Sequence, residues 1–207
     1  MLLATARTAA DAWVGSVEAD RETAVGLLRR GRALAIGFHG DSFPASVPEG
    51  RLARLHLVRR EVGLVSSRGR PPRIEDVPAR RLASRPTSAG VRSTLDRALA
   101  SMGADPVAVH QGARVCASHL EVVCAVAREA AEVGVATHAW AHRLGLAFTP
   151  LDVEDYGILF FADHLGRPEA TRLCEVAQGE VLRSRLKAEA GYDVRDTGAI
   201  RFDREPG

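Results

Sequence analysis

Ser84-Arg85-Pro86-Thr87-Ser88-Ala89-Gly90-Val91-Arg92-Ser93-Thr94-Leu95-Asp96 is the stretch that decides the fold. Ala79-Arg80-Arg81-Leu82-Ala83 leads into it, and Val91, Leu95, Leu99 and Met102 follow at helical spacing until Gly103. A strand, a turn rich in Ser, Thr and Gly, and a helix start therefore come in succession. Free N–H groups and the positive end of the helix dipole make such a start an anion site, to which Arg85 and Arg92 add charge for an oxyanion or carboxylate. By itself the stretch equally fits an ordinary N-cap at Thr87 or Ser88 flanked by two solvated arginines.

Working outward, short apolar runs alternate with helical stretches, the pattern of an α/β protein. A helix over Glu22 to Arg30 closed by Gly31, a strand at Ala33 to Phe38, and a polar loop from His39 to Gly50 come first. Two strands are expected at Leu52 to Arg59 and Val62 to Ser66, and a helical turn at Ile74 to Val77. Beyond the deciding stretch, Ser118 with Glu121 forms a capping box for a helix reaching Ala131. Gly134 to Thr137 reads as a strand, His138 to Leu144 as a short helix, and Leu146 to Pro150 and Asp155 to Ala162 as two further strands. Pro168 opens a helix pair broken near Gly179, and the polar tail after Gly191 is expected to be loosely held.

The 207 residues suit one large domain or two lobes of about 100 residues each. Hydrophobic content of 46% with 26% charged residues is that of a globular protein, and no run approaches the roughly 20 apolar residues of a membrane span. Met1 to Arg7 lacks the form of a secretory signal, so a cytoplasmic location without membrane contact is expected. A net charge of +2 is too small for a nucleic-acid footprint, and Lys187 is the one lysine among 28 Lys and Arg residues. Cys116, Cys124 and Cys174 form no CxxC pair and read as reduced core thiols.

Several segments in fixed order resemble the periplasmic-binding-protein-like domain found behind bacterial helix-turn-helix regulators and in molybdopterin-biosynthesis proteins. They are Gly15-Ser16, Ala33 to Gly37 with His39-Gly40-Asp41, Glu61 to Val65, Gly69-Arg70-Pro71, and the deciding stretch with Arg85, Gly90, Arg92, Leu95 and Asp96 retained. Ser118-His119, Gly145 to Leu151, Glu154, Tyr156 and Gly191-Tyr192-Asp193 complete the series, which covers about Val14 to Phe202. The resemblance implies an α/β, two-lobe type II periplasmic-binding-protein-like fold with the ligand in an interlobe cleft. Lobe one would be residues 1–82 and 151–207, apparently truncated at its N-terminus, and lobe two residues 83–150. It also implies a non-catalytic, cofactor-free domain that binds or senses a small molecule, either an oxyanion such as molybdate or tungstate, or a small carboxylate.

Ser16, His39, Asp41, Arg85, Thr87, Ser88, Arg92, His119, Glu154 and Tyr156 are the ligand contacts so expected. Ala89 and Val91 stand where relatives present hydroxyls, and Gly157 where they present Asp. The chain alone should not bind DNA, and a second copy or a regulator is its expected protein partner. Two readings of other classes remain open. One is a degenerate interaction module; the other is a metal-binding protein using His138 and His142, whose i, i+4 spacing puts two imidazoles on one helical face. No GxSxG elbow, GxGxxG or GxxxxGK fingerprint occurs.

Overall fold

The computed structural model describes residues 15–17, 19, 21–40, 52–67, 69 and 71–203. Among them no helix is long and apolar enough to cross a membrane. The chain forms two compact units, Met1–Arg59 with Glu154–Gly207, and Arg60–Val153. The unit boundaries fall inside two long strands, β2 (Leu52–Ser66) and β6 (Ala147–Phe161). β3 (Leu82–Ser84) is hydrogen-bonded on both sides within the second unit.

In the first unit, α1 (Arg21–Arg29) buries Val25 and Leu28 one turn apart, and Gly31 closes it at φ +63°. β1 (Ala35–His39) runs antiparallel to the last part of β6, from Ala35 opposite Phe160 to His39 opposite Tyr156. Ile36, Phe38, Leu52 and Leu159 join α1 in one core, and Leu55, Leu57, Ile158 and Phe160 form a second with α6 (Pro168–Gln178) and α7 (Glu180–Lys187). Gly157 leaves room for the neighbouring strand, since a Cβ there would stand 2.5 Å from the Leu55 carbonyl oxygen. A side chain of any kind at that position would require the backbone to move.

The second unit is a sheet in the order β2, β5, β3, β4. β5 (Val133–Thr137) pairs antiparallel with β2, Val62 opposite Thr137, and parallel with β3, Leu82 opposite Val133. β4 (Arg114–Val115) is parallel to β3. α2 (Gly90–Ser101) packs Val91, Leu95 and Leu99 on one face, against Leu82, Val133 and Val135. α4 (His119–Ala127) packs Val122, Val123 and Val126 on the opposite face, against Ala83 and Ala136, where α5 (His138–Arg143) also places Ala141. Alternation along the strands explains this division, because successive residues point to opposite faces. α3 (Pro106–His110), capped by Asp105, joins α2 to β4.

Three expectations are corrected. The charged run Arg59-Arg60-Glu61 does not interrupt a strand: β2 is continuous, with Arg60 itself buried. The two strands expected on either side of residues 151–154 are likewise one, β6. The tail after Gly191 is ordered through residue 203. β7 (Ile200–Phe202) pairs with β2, Thr197 Oγ1 donates to the Leu57 carbonyl, and Arg183 donates to the carbonyls of Val194 and Thr197. Those bonds reach across the fold and have no local signature. Residues 204–207 lie outside the described ones.

Candidate functional site

In the second unit, β4, β3 and β5 are parallel neighbours, and a helix begins after each of them at one edge of the sheet. The helix after β3 lies on one face, and those after β4 and β5 lie on the other. Where adjacent strands send their helices to opposite faces, the loops part and leave a crevice outside the strand ends, the usual ligand position of an open α/β sheet. At the ends of β3 and β5 stand the loop after Ser84 and Thr137-His138.

The β3 loop carries the expected Arg85, Thr87 and Ser88, and Thr87 and Ser88 are exposed. Neither hydroxyl residue is the N-cap. Ala89 takes that place, with no side-chain cap, so the first N–H groups of this 12-residue helix have no side chain closing them. α4 contrasts sharply. Ser118 Oγ accepts from the Glu121 amide, and Glu121 Oε2 accepts from the Ala117 amide at 2.7 Å. Ser118 and Glu121 thus close the start of α4, whereas α2 and the six-residue α5, with Thr137 at its N-cap, have no side-chain cap.

Arg92 sits differently from a freely presented anion ligand. Its side chain is 12% exposed, Nε donates to Asp96 Oδ1 at 2.9 Å, and Nη1 donates to the Arg85 carbonyl at 3.4 Å. The same Asp96 oxygen lies 2.9 Å from Nε2 of His110, whose side chain is 6% exposed. Burial, followed by the Arg92 charge, lowers the His110 pKa against the opposing pull of Asp96. The neutral Nε2–H tautomer fits this geometry, donating to Asp96 with Nδ1 buried and without a partner. His110, Asp96 and Arg92 thus form a chain from α3 to the loop before α2.

The remaining expected residues belong to the first unit. His39 and Tyr156 are register partners with ring centroids 4.9 Å apart, and His39 Nδ1 lies 3.2 Å from Glu154 Oε1. β1 and β6 thus bring three expected residues together. Ser16 is exposed ahead of α1, and Asp41 lies outside the described residues. Also in this unit, His56 is buried on β2 with Nδ1 3.5 Å from Asp155 Oδ1. Burial, then Arg54, lowers its pKa.

Sequence reasoning missed Glu61 and Thr137. His138 Nδ1 lies 2.6 Å from Glu61 Oε2, and its ring stacks on Phe148 at 4.3 Å between centroids. The imidazole is committed to a carboxylate, while His142 is exposed. Among the described residues, no group of three or more His, Cys, Asp or Glu side chains could hold a metal ion. The thiols of Cys116 and Cys174 are buried, and burial pushes both pKa values up.

Residues 9–178 match the PBP superfamily domain. A Clostridium pasteurianum protein encoded in the 5′ region of a ferredoxin 2Fe-2S gene is 27% identical over 107 residues, 51% of this chain and 95% of that protein. Among solved structures, a Clostridium perfringens protein named as a phosphate ABC transporter substrate-binding protein, with bound phosphate, superposes with a TM-score of 0.65. Identity is 8%, over 83% of each chain. A Corynebacterium glutamicum OxyR C206 mutant superposes with a TM-score of 0.60 at 13% identity over 86% of this chain, which spans only 60% of that one. At these identities the structural likeness speaks for the fold, a type II periplasmic-binding-protein-like one.

Proposed function

The chain belongs to the PBP superfamily, and on that premise we propose that it is a non-catalytic domain that binds a small anion at the strand-end edge of its second unit. The observation that carries this reading is the start of α2. It is a 12-residue helix with Ala89 at its N-cap and no side-chain cap. It opens beside the loop of Arg85, Thr87 and Ser88, so backbone donors, the helix dipole and two exposed hydroxyl residues stand at one strand end. The phosphate held by the Clostridium perfringens protein of like fold supports an oxyanion or carboxylate as the ligand class.

Arg92 acts here mainly as a strut. Its bonds to Asp96 and to the Arg85 carbonyl fasten the loop that presents Arg85, Thr87 and Ser88. Service as a cytoplasmic sensor for a regulator partner is part of the proposal. Calorimetric titration with phosphate, sulfate, molybdate, tungstate and small carboxylates tests the reading. At least one of them is expected to bind saturably, with the signal lost in Arg85→Ala. No binding by any of these anions overturns it.

A further inference from the structure

At the outer edge of the second unit's sheet, β4 is bonded on one side only. Among the described residues its strand partner is β3, and the strand order ends there. Arg114 is the register partner of Ala83, and the Cys116 amide donates to the Ser84 carbonyl at 2.8 Å, so both turn their main-chain groups inward. Val115 stands between them. Main-chain groups alternate sides along a strand, which points the Val115 N–H and C=O outward as an open donor and acceptor that a further strand can complete. The Val115 side chain is 63% exposed. Because Cys116 packs with Val122 and Val123 on the α4 face, Val115 faces the α2 side and Arg114 the α4 side.

Between this edge and α4 lies a cavity of about 220 Å³. Its helical wall is formed by Glu121, Cys124 and Arg128, the last at the C-cap of α4; intervals of three and four residues put them on one side of the helix. Arg114 lines it from the strand. Among the described residues, neither the Arg114 nor the Arg128 guanidinium has a hydrogen-bond or ion-pair partner. Other arginines of the same unit do: Arg80 and Arg81 meet Glu132, and Arg97 meets Asp152. The carboxylate in the wall, Glu121, accepts from the Ala117 amide at 2.7 Å. Two uncommitted guanidiniums therefore face one engaged carboxylate, and the groove beside the open strand is left short of negative charge.

We propose that this edge docks an extended acidic segment of a partner protein, which adds as a strand to β4. The segment's residue opposite Val115 exchanges main-chain bonds with it and shares its face. The two neighbouring side chains then point to the α4 side, where carboxylates meet Arg114 and Arg128. The proposal does not depend on the anion at the start of α2, which lies on the other face of the sheet. Fluorescence anisotropy of the full chain with fluorescein-labelled Thr-Asp-Val-Asp-Val-Thr-amide tests it. Saturable binding is expected, with little or none for the counterpart carrying Lys in place of Asp. N-methylation of the valine between the two Asp residues should weaken binding about tenfold by removing a main-chain bond. Arg114→Glu and Arg128→Glu, checked for folding by circular dichroism, should each weaken it about fivefold or more. No saturable binding of the acidic peptide below about 1 mM overturns the proposal. Binding that N-methylation leaves unchanged also overturns it, since charge alone would then account for the signal. Sedimentation as a dimer that Arg114→Glu disperses would give the edge to a second copy of this chain, with the same consequence.

Discussion

Replacing Asp96 by Asn tests whether the chain from His110 through Asp96 to Arg92 acts as a unit. Asp96 Oδ1 meets two groups at 2.9 Å, Arg92 Nε and His110 Nε2, and both of those side chains are nearly buried. Asp96 itself is 34% exposed, which sets the interaction between the limits for exposed and buried pairs. Exposed pairs contribute about 0.2–1 kcal/mol, and removing one partner of a buried pair costs about 3–5 kcal/mol. A loss of about 2 kcal/mol is the expectation, lowering the melting temperature by about 4–8 °C for a chain of this length. The assay is a double-mutant cycle in urea with Arg92→Met, Asp96→Asn and both together. Arg92→Met removes the charge that Asp96→Asn would leave unmatched, so the double variant should be about 1 kcal/mol or more less destabilised than the sum of the singles. Additivity within about 0.5 kcal/mol would show that Asp96 does not hold Arg92, and the role of Arg92 as a strut would fall with it.

Two further predictions concern pH and packing. His56 and His110 both have folded pKa values below the ordinary 6.5, burial being the first cause for each. The unfolded chain therefore takes up protons first as pH falls, so stability is full above about pH 6.5 and is lost as pH drops towards the folded values. Urea midpoints measured from pH 7.5 to 5 should fall through that window, and His110→Gln, which keeps a donor for Asp96 but does not titrate, should flatten part of the slope; an unchanged slope refutes the assignment. Gly134→Ala would bring a Cβ to 2.5 Å from Val122 Cγ1 and 3.3 Å from the Ala83 carbonyl oxygen, between β5 and α4. A loss of about 1–3 kcal/mol is expected from such overpacking, and a melting curve superimposable on that of the parent would contradict the close approach of helix and strand.

The parts of the fold legible in the sequence were those with local signatures. The turn after Ser84, the 3.6-residue period from Val91, the capping box at Ser118 and the Pro168 helix start each depend on residues a few positions apart, and each element stands close to where those residues put it. β2 and β6 were read as broken because Arg59-Arg60-Glu61 and Pro150 resemble strand ends locally. Their continuity is set by partners far along the chain. The order of residues 192–203 has the same origin, in bonds such as the one from Thr197 to Leu57. The candidate site divides along the same line. Arg85, Thr87 and Ser88 could be found from one turn, whereas Glu61 and His138 lie 77 residues apart and meet only through the β2–β5 register. His138 did draw notice in the sequence, but with His142 as its companion, because helical spacing is visible there and strand pairing is not.

Caps also decide which helix start can serve a ligand, and they do so against the first impression of the sequence. A hydroxyl residue before a helix suggests a binding residue, yet Ser118 spends its oxygen on the amide of Glu121, and the Glu121 carboxylate turns back to the amide of Ala117. One of the donors that an anion would need there, the Glu121 amide, is thereby already engaged. At α2 the N-cap is Ala89, whose methyl group offers nothing to a ligand and nothing that would cap the helix in the ligand's absence. The loop is held by other means, through Arg92 Nη1 to the Arg85 carbonyl and through Asp96 to His110. Fastening from the side leaves the helix start without a cap, so in the proposed anion site the residues that hold the loop are ones that need not touch the ligand at all.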